Sequence, residues 1–346
     1  MKNTSFKPGQ VWLDTNGNRI QAHGGYMFVE DGKFYWYGEN KENSQSEYKV
    51  WHWGVRLYSS DDLYNWQDEG IILPPELEDT TSPVYYNAKM DRPHILYNEK
   101  TGLYVMWLKI MSTHCGGSAT IAVSESIKGP FRIVKTGYRP NGFELGDYEL
   151  VKDGDKAYLI YEKPHTEVVV TPLAEDYMSV EEECHKSYFC NLLPPYAREA
   201  PATFQYKGKV YMITSGTTAK FPNPSEVAVA DTYMGEWKVL GDPHINDVKK
   251  TSFDSQISCI FKHPLKKNLY IAMADRWLVD LKDDMPDIQK VFEGQFDRTK
   301  PQIPFVWADW TQKNTSIADY VWLPIEFDGD KPIIKWYDEW RWEDFE

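Results

Sequence analysis

Asp31-Gly32-Lys33-Phe34-Tyr35-Trp36-Tyr37 is the stretch of sequence that decides the fold. It joins a tight turn containing Gly to a short run of aromatic residues, a pattern typical of a β-hairpin that continues into a buried strand. The same pattern of turn and strand returns four times. The later copies lie at residues 100–107, 155–161, 207–213 and 266–273.

The spacing of this repeat is typical of propeller blades. Each copy carries a tyrosine, and successive tyrosines are 69, 54, 53 and 59 residues apart. A second strand and then a Trp- or Phe-containing segment follow each copy, which gives about four strands per repeat. Five copies therefore predict an all-β protein, a single five-bladed β-propeller domain over residues 1–346. Segments 11–12, 320–325 and 332–337 are expected to close the ring, because closure removes exposed sheet edges.

The aromatic content is unusually high. The 346 residues include 14 Trp, 23 Tyr and 15 Phe, or 15% of the chain. Aromatic residues pack well on the pleated surfaces of β-sheets, which accounts for part of this number. Sugar rings present apolar C–H faces against which flat side chains stack. We therefore expect the aromatic residues to serve both the core and a carbohydrate partner.

Charge and hydropathy exclude other partners. The net charge of −14 repels phosphate backbones, so nucleic acid is not an expected partner. No apolar run approaches the roughly 18 residues of a membrane span. The first nine residues lack the apolar core of a signal peptide, so we expect a cytoplasmic protein, or a secreted one if a leader has been removed. The four cysteines show no disulfide or metal spacing, and buried thiols are expected.

Carboxylates stand just before the first strand of several repeats. Asp91, Asp147 and Glu199 occupy this place in repeats two to four, and Gln256 occupies it in repeat five. One acid alone could simply cap a turn or pair with a neighbouring arginine. Three acids at one repeated position are expected to converge on the central channel.

A converging set of carboxylates fits the hydrolysis of glycosidic bonds. One carboxylic acid must protonate the leaving oxygen while a second group activates water on the opposite face of the sugar. A further carboxylate nearby can keep the acid protonated through like-charge repulsion. The residues therefore predict a glycoside hydrolase that needs no cofactor.

Three motifs carry a resemblance to a known family. Ala22-His23-Gly24-Gly25, Trp36-Tyr37-Gly38-Glu39 and Arg198-Glu199-Ala200-Pro201 resemble glycoside hydrolase family 43. The closest likeness is to its exo-β-1,3-galactanase branch and the galactofuranosidase-like relatives, over residues 10–342. The resemblance implies a five-bladed propeller that hydrolyses glycosides with inversion of configuration.

The resemblance also assigns catalytic residues. Glu199 matches the general acid, and Asp147 matches the residue that orients this acid and tunes its pKa. The aspartate that usually serves as base in blade one is replaced here by Ala22-His23-Gly24. Gln256 matches a glutamine that takes the place of the base in the galactanase-like branch, and Glu39 is the alternative base.

Substrate-binding residues follow from the same comparison. Asp91 lies where the branch has a glutamate-Arg-Pro motif, one carbon shorter here. Thr217 or Thr218 is expected to contact a sugar hydroxyl, and His23 and Trp36 are expected to bind substrate. A structural calcium in the central channel near His23 is compatible with the resemblance, and no zinc spacing is present.

Two functions from different classes remain open. The first is an exo-acting hydrolase that releases a terminal galactose or a furanose, either arabinofuranose or galactofuranose, from plant-type polysaccharides or oligosaccharides. The second is a non-catalytic propeller that binds glycans, in which the missing aspartate reflects lost chemistry. A protein-interaction propeller is disfavoured, because its Gly-His and Trp-Asp repeats do not occur in the sequence.

Overall fold

Five antiparallel sheets of four strands make up most of the regular structure. The computed structural model describes residues 2–112, 116–281, 285–305 and 313–346. In every sheet the strands lie side by side in the order in which they occur along the chain, so each sheet is one blade. The prediction of an all-β, five-bladed propeller is confirmed.

The blades follow one another along the chain. Blade I contains β1 (His23–Glu30), β2 (Lys33–Glu39), β3 (Val55–Ser60) and β4 (Gln67–Leu73). Blade II contains β5 (Lys89–Asn98), β6 (Leu103–Met111), β7 (Gly117–Ser124) and β8 (Arg132–Tyr138). Blade III contains β9 (Tyr148–Asp153), β10 (Lys156–Lys163), β11 (Glu167–Pro172) and β12 (Lys186–Tyr188). Blade IV contains β13 (Arg198–Tyr206), β14 (Lys209–Gly216), β15 (Glu226–Ala230) and β16 (Lys238–Gly241). Blade V contains β17 (Gln256–Lys262), β18 (Tyr270–Arg276), β19 (Asp319–Asp328) and β20 (Lys331–Ile334).

Helices are few and short. The one α-helix of the described residues is α1 (Ile288–Phe296), between β18 and β19, and the Asp287 side chain caps it by accepting a hydrogen bond from the Lys290 amide. Short 3₁₀ turns occur at Pro140–Gly142, Thr315–Ile317 and Trp342–Asp344. Among the described residues, no helix has the length and apolarity needed to cross a membrane.

The core lies between neighbouring blades. Successive side chains of a strand point to opposite faces of its sheet, so each blade contributes to two hydrophobic clusters. On β2, Phe34 and Trp36 pack towards blade V, whereas Tyr35 and Tyr37 pack towards blade II. Each blade is thus held by apolar packing on both of its faces.

Trp36 belongs to this core and not to a sugar-binding surface. Its side chain is 1% exposed. The indole packs against Tyr320 and Trp322, with ring centroids 4.6 Å away in both cases, and against Trp66 at 5.4 Å. The prediction that Trp36 binds substrate is therefore wrong, because the alternation of β2 directs its side chain between blades I and V.

The ring closes through the two ends of the chain. Phe6 and Trp340 exchange backbone hydrogen bonds of 2.8 and 3.1 Å, and the Gly9 amide donates to the Tyr320 carbonyl at 2.7 Å. Trp12 packs edge-on against Trp322 at 5.1 Å. Segment 320–325 lies in β19, and segment 332–337 begins in β20, so both form part of blade V. The described N-terminal residues therefore close the ring by contact, without adding a strand to that blade.

The cysteines differ in exposure. Cys259 is a buried free thiol in blade V, as expected. Cys184 and Cys190 are exposed free thiols, so the expectation of burial is wrong for them. They flank β12, the outermost strand of blade III, where no further strand covers the sheet. Cys115 lies outside the described residues.

The placement of Trp36 gives a first prediction. Trp36→Ala should lower the free energy of unfolding by about 3–5 kcal/mol, because it leaves a cavity in the aromatic core. The kcat/KM of the molecules that remain folded should not change. Urea unfolding, together with activity measured well below the unfolding midpoint, checks both points. Unchanged stability with lost activity would show instead that Trp36 contacts substrate.

Candidate active site

The candidate residues occupy one position that recurs around the channel. The first strand of each blade is the innermost, and a polar residue at or near its start pairs with a residue on the second strand. These pairs are His23 with Glu39, Asp91 with Lys109, Glu199 with Ser215, and Gln256 with Asp275. In blade III the Glu162 amide donates to the Asp147 carbonyl at 2.8 Å, which completes the ring. The second-strand members Lys109, Glu162, Ser215 and Asp275 were not predicted from the sequence.

A β-bulge aims several of these side chains. The ladder shifts register directly after His23, Asp91 and Glu199. The next residue has a left-handed backbone in each case, with φ of 55° at Gly24, 52° at Arg92 and 51° at Ala200. A bulge bends the strand and redirects the side chains beside it. The same type of bulge therefore turns residues of three blades towards the channel mouth.

Arg92 connects its own blade II to three other blades. Its Nη2 atom lies 2.8 Å from Asp147 Oδ2 of blade III and donates to Gln256 Oε1 of blade V at 2.9 Å. Its backbone amide donates to Glu39 Oε1 of blade I at 3.0 Å. The residue is 7% exposed. A buried cation needs such partners, since an unpaired one would carry a large desolvation cost.

Lys109 adds a second buried cation beside Asp147. Its Nζ atom donates to Asp147 Oδ1 at 2.6 Å and lies 3.4 Å from Asp91 Oδ2. The other oxygen of Asp91 accepts a 2.7 Å hydrogen bond from Trp51 Nε1. Burial alone would raise the pKa of Asp147, but Arg92 and Lys109 hold it well below its usual range. Asp147 is therefore ionised and fixed between two cations.

Glu199 and Gln256 are in direct contact. Gln256 Nε2 donates to Glu199 Oε1 at 3.1 Å and to Ser215 Oγ at 2.8 Å. These contacts, together with those of Arg92 and Lys109, bring Asp91, Asp147, Glu199 and Gln256 into one connected network. The sequence had predicted that these four residues share a site.

The environment of Glu199 favours its protonated form. Burial raises the pKa of Glu199 well above its usual range, and the nearby carboxylates of Glu162 and Asp147 raise it further. Lys109 and Arg92 oppose this shift without reversing it. Glu199 is therefore suited to hold a proton at neutral pH and to donate it.

Glu39 has a different environment. It is 2% exposed, and its Oε2 atom lies 2.9 Å from Lys41 Nζ. Burial raises its pKa to about 7; Lys41 works against this shift, and Asp91 adds to it. Such a pKa suits a general base. However, Arg92 and Lys41 already occupy both of its oxygens.

His23 is enclosed by protein groups. It is fully buried, its Nδ1 lies 3.1 Å from Asp275 Oδ1, and its Nε2 lies 3.3 Å from the Tyr320 hydroxyl. The imidazole stacks on the Tyr320 ring at 4.8 Å, and burial lowers its pKa. The prediction that His23 binds substrate is wrong, because both ring nitrogens face protein partners.

The two threonines support a loop. Thr217 Oγ1 donates to the Ala197 carbonyl at 2.9 Å, and Thr218 Oγ1 donates to the Phe221 carbonyl at 2.6 Å. Neither residue is more than 1% exposed. The prediction that one of them contacts a sugar hydroxyl is wrong, since both hydroxyls are buried against backbone carbonyls, that of Ala197 before β13 and that of Phe221 in the loop after β14.

A small pocket opens beside Gln256. Its lining includes Lys220, Asp254, Gln256, Asp275 and Trp277. The Lys220 ammonium lies 4.6 Å from the ring centroid of Trp51 and 5.4 Å from that of Trp277, and it pairs with Glu47. Two indoles and a lysine thus border the network on the side of blades I and V.

Among the residues that the structure describes, one group of side chains could ligate a metal ion. Glu162, His165 and Glu199 each offer a ligand atom, and these atoms lie within 4.8 Å of one another. His23 is not part of this group, so the predicted calcium near His23 stays a prediction.

Comparison with known proteins assigns the family. The model of glycosyl hydrolases family 43 matches residues 22–258, more than half of the chain. The protein therefore belongs to glycoside hydrolase family 43, as predicted. A comparison with curated protein sequences found no match.

Solved structures place it near one branch of that family. A family 43 β-1,3-galactosidase superposes with a TM-score of 0.82 at 28% identity, over 99% of this chain and 65% of the other, so this chain spans less than two thirds of that protein. A second β-1,3-galactosidase of the family, solved with galactodeoxynojirimycin, has a TM-score of 0.77 at 29% identity, over 97% and 100% of the two chains. An exo-β-1,3-galactanase from Clostridium thermocellum has a TM-score of 0.74 at 26% identity, over 97% and 66%. The predicted likeness to the exo-β-1,3-galactanase branch is confirmed.

A second buried carboxyl lies two residues beyond Asp147. Glu149 on β9 is 1% exposed, and its Oε1 accepts a 3.3 Å hydrogen bond from the Tyr26 hydroxyl. Burial raises its pKa to about 8, although hydrogen bonds from Thr203 and Tyr26 oppose the shift. The folded protein therefore keeps this carboxyl neutral at neutral pH.

The neutral state of Glu149 predicts a pH-dependent stability. The unfolded chain loses this proton near pH 4.5 and the folded chain near pH 8, so the free energy of unfolding should fall as the pH rises between these values. Glu149→Gln keeps a neutral side chain of similar shape and should flatten this fall. A slope should persist because the raised pKa values of Glu39 and Glu199 act in the same direction. Urea unfolding across this range, with Glu183→Gln on the exposed surface of blade III as the control, checks the slope. Equal slopes in all three proteins would contradict the prediction.

Proposed function

We propose that the protein is an exo-acting glycoside hydrolase that removes one terminal sugar with inversion of configuration, with Glu199 as its general acid. The observation that carries this proposal is the contact of Glu199 with Gln256, in a network that also holds Asp147. Burial and the nearby carboxylates raise the pKa of Glu199 well above its usual range, which favours its protonated form. A general acid must hold its proton at the working pH and release it in the transition state. A propeller that only binds glycans has no need for a carboxyl tuned in this way.

The proposed substrate is a terminal β-1,3-linked galactose. The supporting observation is that the two β-1,3-galactosidases and the bacterial exo-β-1,3-galactanase align over nearly the whole of this chain. A terminal arabinofuranose or galactofuranose is the second candidate. Asp91 favours this second candidate, since an arm one carbon shorter than the family's glutamate leaves room for a different ring.

The other carboxylates are poorly placed to act as a nucleophile. A retaining enzyme needs an accessible carboxylate about 5–5.5 Å from the acid. Asp147 is fixed by Arg92 and Lys109, and Glu162 is 2% exposed and accepts two hydrogen bonds from His165. Attack by water, and hence inversion, is the simpler route.

Gln256 is suited to position the attacking water. Both protons of its Nε2 atom are used, one by Glu199 and one by Ser215. Its Oε1 atom accepts one hydrogen bond from Arg92, which leaves one lone pair for a water proton. In the proposed step this water attacks the anomeric carbon, the bond to the leaving oxygen breaks, and Glu199 gives its proton to that oxygen. The attacking water passes its extra proton to Gln256 Oε1, and Gln256 Nε2 returns a proton to the Glu199 carboxylate, which leaves Gln256 in its imidic form.

The acid assignment predicts a dependence on the leaving group. The wild type should release galactose from β-1,3-galactobiose and from nitrophenyl β-galactoside, and ¹H NMR should show the α-anomer first. Glu199→Gln should lose about 10²- to 10⁴-fold in kcat/KM on galactobiose, and less on the nitrophenyl glycoside, whose leaving group needs less protonation. Glu236→Gln, an exposed change in the same blade, is the control.

Two results would count against this assignment. Equal losses on both substrates would mean that Glu199 does not donate a proton. Turnover of aryl furanosides alone would move the proposal to the second substrate class, and binding of galacto-oligosaccharides without turnover of any glycoside would favour a glycan-binding propeller.

The identity of the base gives a separate prediction. Gln256→Ala should reduce kcat strongly because the water loses its acceptor, and azide should restore turnover and yield a glycosyl azide of inverted configuration. A small anion can replace water that has lost its base, since it needs no deprotonation. Glu39→Gln should keep substantial activity, because Glu39 is bonded to Arg92 and Lys41. Azide rescue of Glu39→Gln, with Gln256→Ala still active, would reverse the assignment.

A further inference from the structure

The helix α1 links blade V to blades IV and III at the channel mouth. It lies in the connection between β18 and β19 of blade V. Its Phe292 side chain is buried and packs with Phe221, from the loop after β14 of blade IV. Its last residue, Phe296, meets the ring of His165 edge-on at a centroid distance of 6.0 Å, in the turn between β10 and β11 of blade III. The helix is therefore fixed against the blade that carries the proposed acid and against the next blade of the ring.

Tyr196 contacts the same helix from the segment before β13. Its hydroxyl donates a hydrogen bond of 3.4 Å to Glu293 Oε1. Both neighbours of Tyr196 along the chain, Pro195 and Ala197, are buried, whereas Tyr196 itself is 51% exposed. The chain is thus anchored on both sides of this tyrosine, and its ring faces solvent three residues before Glu199.

Tyr196 and Phe296 border one exposed surface, which we name the aromatic rim. Glu293 and Phe296 are three positions apart in α1, so they are neighbours on one face of the helix, and Tyr196 bonds to the first of them. Phe296 is 41% exposed. Two aromatic side chains exposed on one surface beside an active centre are available to cover an apolar part of a ligand.

The aromatic rim lies on the other side of Glu199 from Gln256. Glu199 is in blade IV, between Gln256 in blade V and His165 in blade III. One ligand atom each of His165 and Glu199 lie within 4.8 Å of each other, and Phe296 contacts His165. In the proposed reaction the terminal sugar lies at the polar network of Gln256, with its leaving oxygen at Glu199. The sugar attached to that oxygen therefore extends past the acid towards the aromatic rim.

We propose that the aromatic rim binds the sugar ring of the leaving group and makes the enzyme selective for oligosaccharides, an inference that rests on the proposed function. The C–H face of a sugar stacks on a flat aromatic side chain, and Tyr196 also offers a hydroxyl at its edge. The buried contacts of α1 hold Phe296 in place before substrate arrives, so little ordering is needed on binding. Tyr196 and Phe296 are thus specificity-determining residues, because they contact the part of the substrate that leaves.

The other aromatic group near the site is less suited to this role. Trp51 and Trp277 lie on the Gln256 side of the network, and Trp277 lines the pocket there. The ammonium groups of Lys41 and Lys220 lie over both indoles, at 4.6–5.8 Å from the ring centroids. A cation over an indole leaves less of that ring face for a sugar.

The test compares two substrates that differ only in the leaving group. β-1,3-Galactobiose releases a sugar ring, whereas β-galactosyl fluoride releases a single atom that cannot stack. In Tyr196→Ala and in Phe296→Ala, the ratio of kcat/KM on galactobiose to kcat/KM on the fluoride should fall by about 3- to 10-fold, because one stacking contact is lost. A merely structural role would lower both values together and leave the ratio unchanged.

Matched variants control for the ring and for the fold. Tyr196→Phe keeps the aromatic face and should keep the wild-type ratio. Phe296→Leu keeps an apolar contact for α1 but has no flat face, so it should show the same fall as Phe296→Ala even if the alanine variant does not fold. Leu265→Ala changes an exposed side chain in the turn after β17, at the end of that strand away from Gln256, and should not alter the ratio.

Binding gives a second measurement that does not need turnover. In a Glu199→Gln background, calorimetry should show that galactobiose binds more tightly than galactose, and that Tyr196→Ala and Phe296→Ala reduce this difference by the same factor as the kinetic ratio. Loss of affinity for galactose itself, with the difference kept, would place the two aromatic residues at the terminal sugar instead.

The outcomes separate this inference from the proposed function. A wild-type ratio in the folded Tyr196 and Phe296 variants overturns the aromatic rim, whatever the level of activity. Hydrolysis of no glycoside by the wild type overturns the proposed function, and the difference in affinity between galactobiose and galactose then decides on the rim alone. Turnover of furanosides alone transfers the comparison to the furanosyl fluoride and the corresponding disaccharide, with the same fall expected.

Discussion

The buried Arg92 guanidinium is the contact on which the site depends. It reaches Asp147 and Gln256, and its backbone amide holds Glu39, so one residue links four of the five blades. Its left-handed backbone, at the bulge after Asp91, makes this reach possible. A buried cation without partners is costly. The ion pairs of Arg92 therefore do more than stabilise the fold, because without them Arg92 could not be buried at this position. The geometry of the pocket and the stability of the blade contacts are therefore coupled.

Electrostatics divide the carboxyl groups of the channel into two kinds. Asp147, between two cations, is held ionised, whereas Glu199 and Glu149 are held neutral chiefly by burial. Carboxyl groups whose pKa values are shifted in opposite directions can act at one pH as a proton donor and as its charged partner. The arrangement resembles what acid–base hydrolysis needs, although the family's usual aspartate is absent from the first blade.

The sequence was sufficient to predict the fold and those residues of the site that lie on the first strands of the blades. The tyrosine repeat located all five blades, and the polar residue near the start of each first strand was recognisable from its place in the repeat. The second-strand partners follow the same repeat, four or five residues after the tyrosine, as with Glu162 after Tyr158 and Lys109 after Tyr104. All of them except Glu39 were missed because a single polar residue at the end of an apolar strand resembles an ordinary strand terminus.

Other errors have physical causes that a sequence does not display. Successive residues of β2 are all aromatic, so their pattern does not show which side chains face the channel. Trp36 was misplaced for that reason. The hydroxyls of Thr217 and Thr218 bond to the carbonyls of Ala197 and Phe221, whose positions the sequence does not give. The pKa values of Glu199 and Glu39 depend on burial by several blades at once.

The contact between Phe6 and Trp340 has a consequence for the order of folding. It joins residues more than 300 positions apart, so its loop-closure entropy is among the largest in the chain, and it is expected to form late. Each blade uses only consecutive strands and can form locally before that moment. The bond between Arg92 and Gln256, however, spans blades II and V and requires the assembled ring. A nascent chain that lacks its last blade can thus be well structured and still have no active centre, so catalytic competence arises only with the final step of assembly.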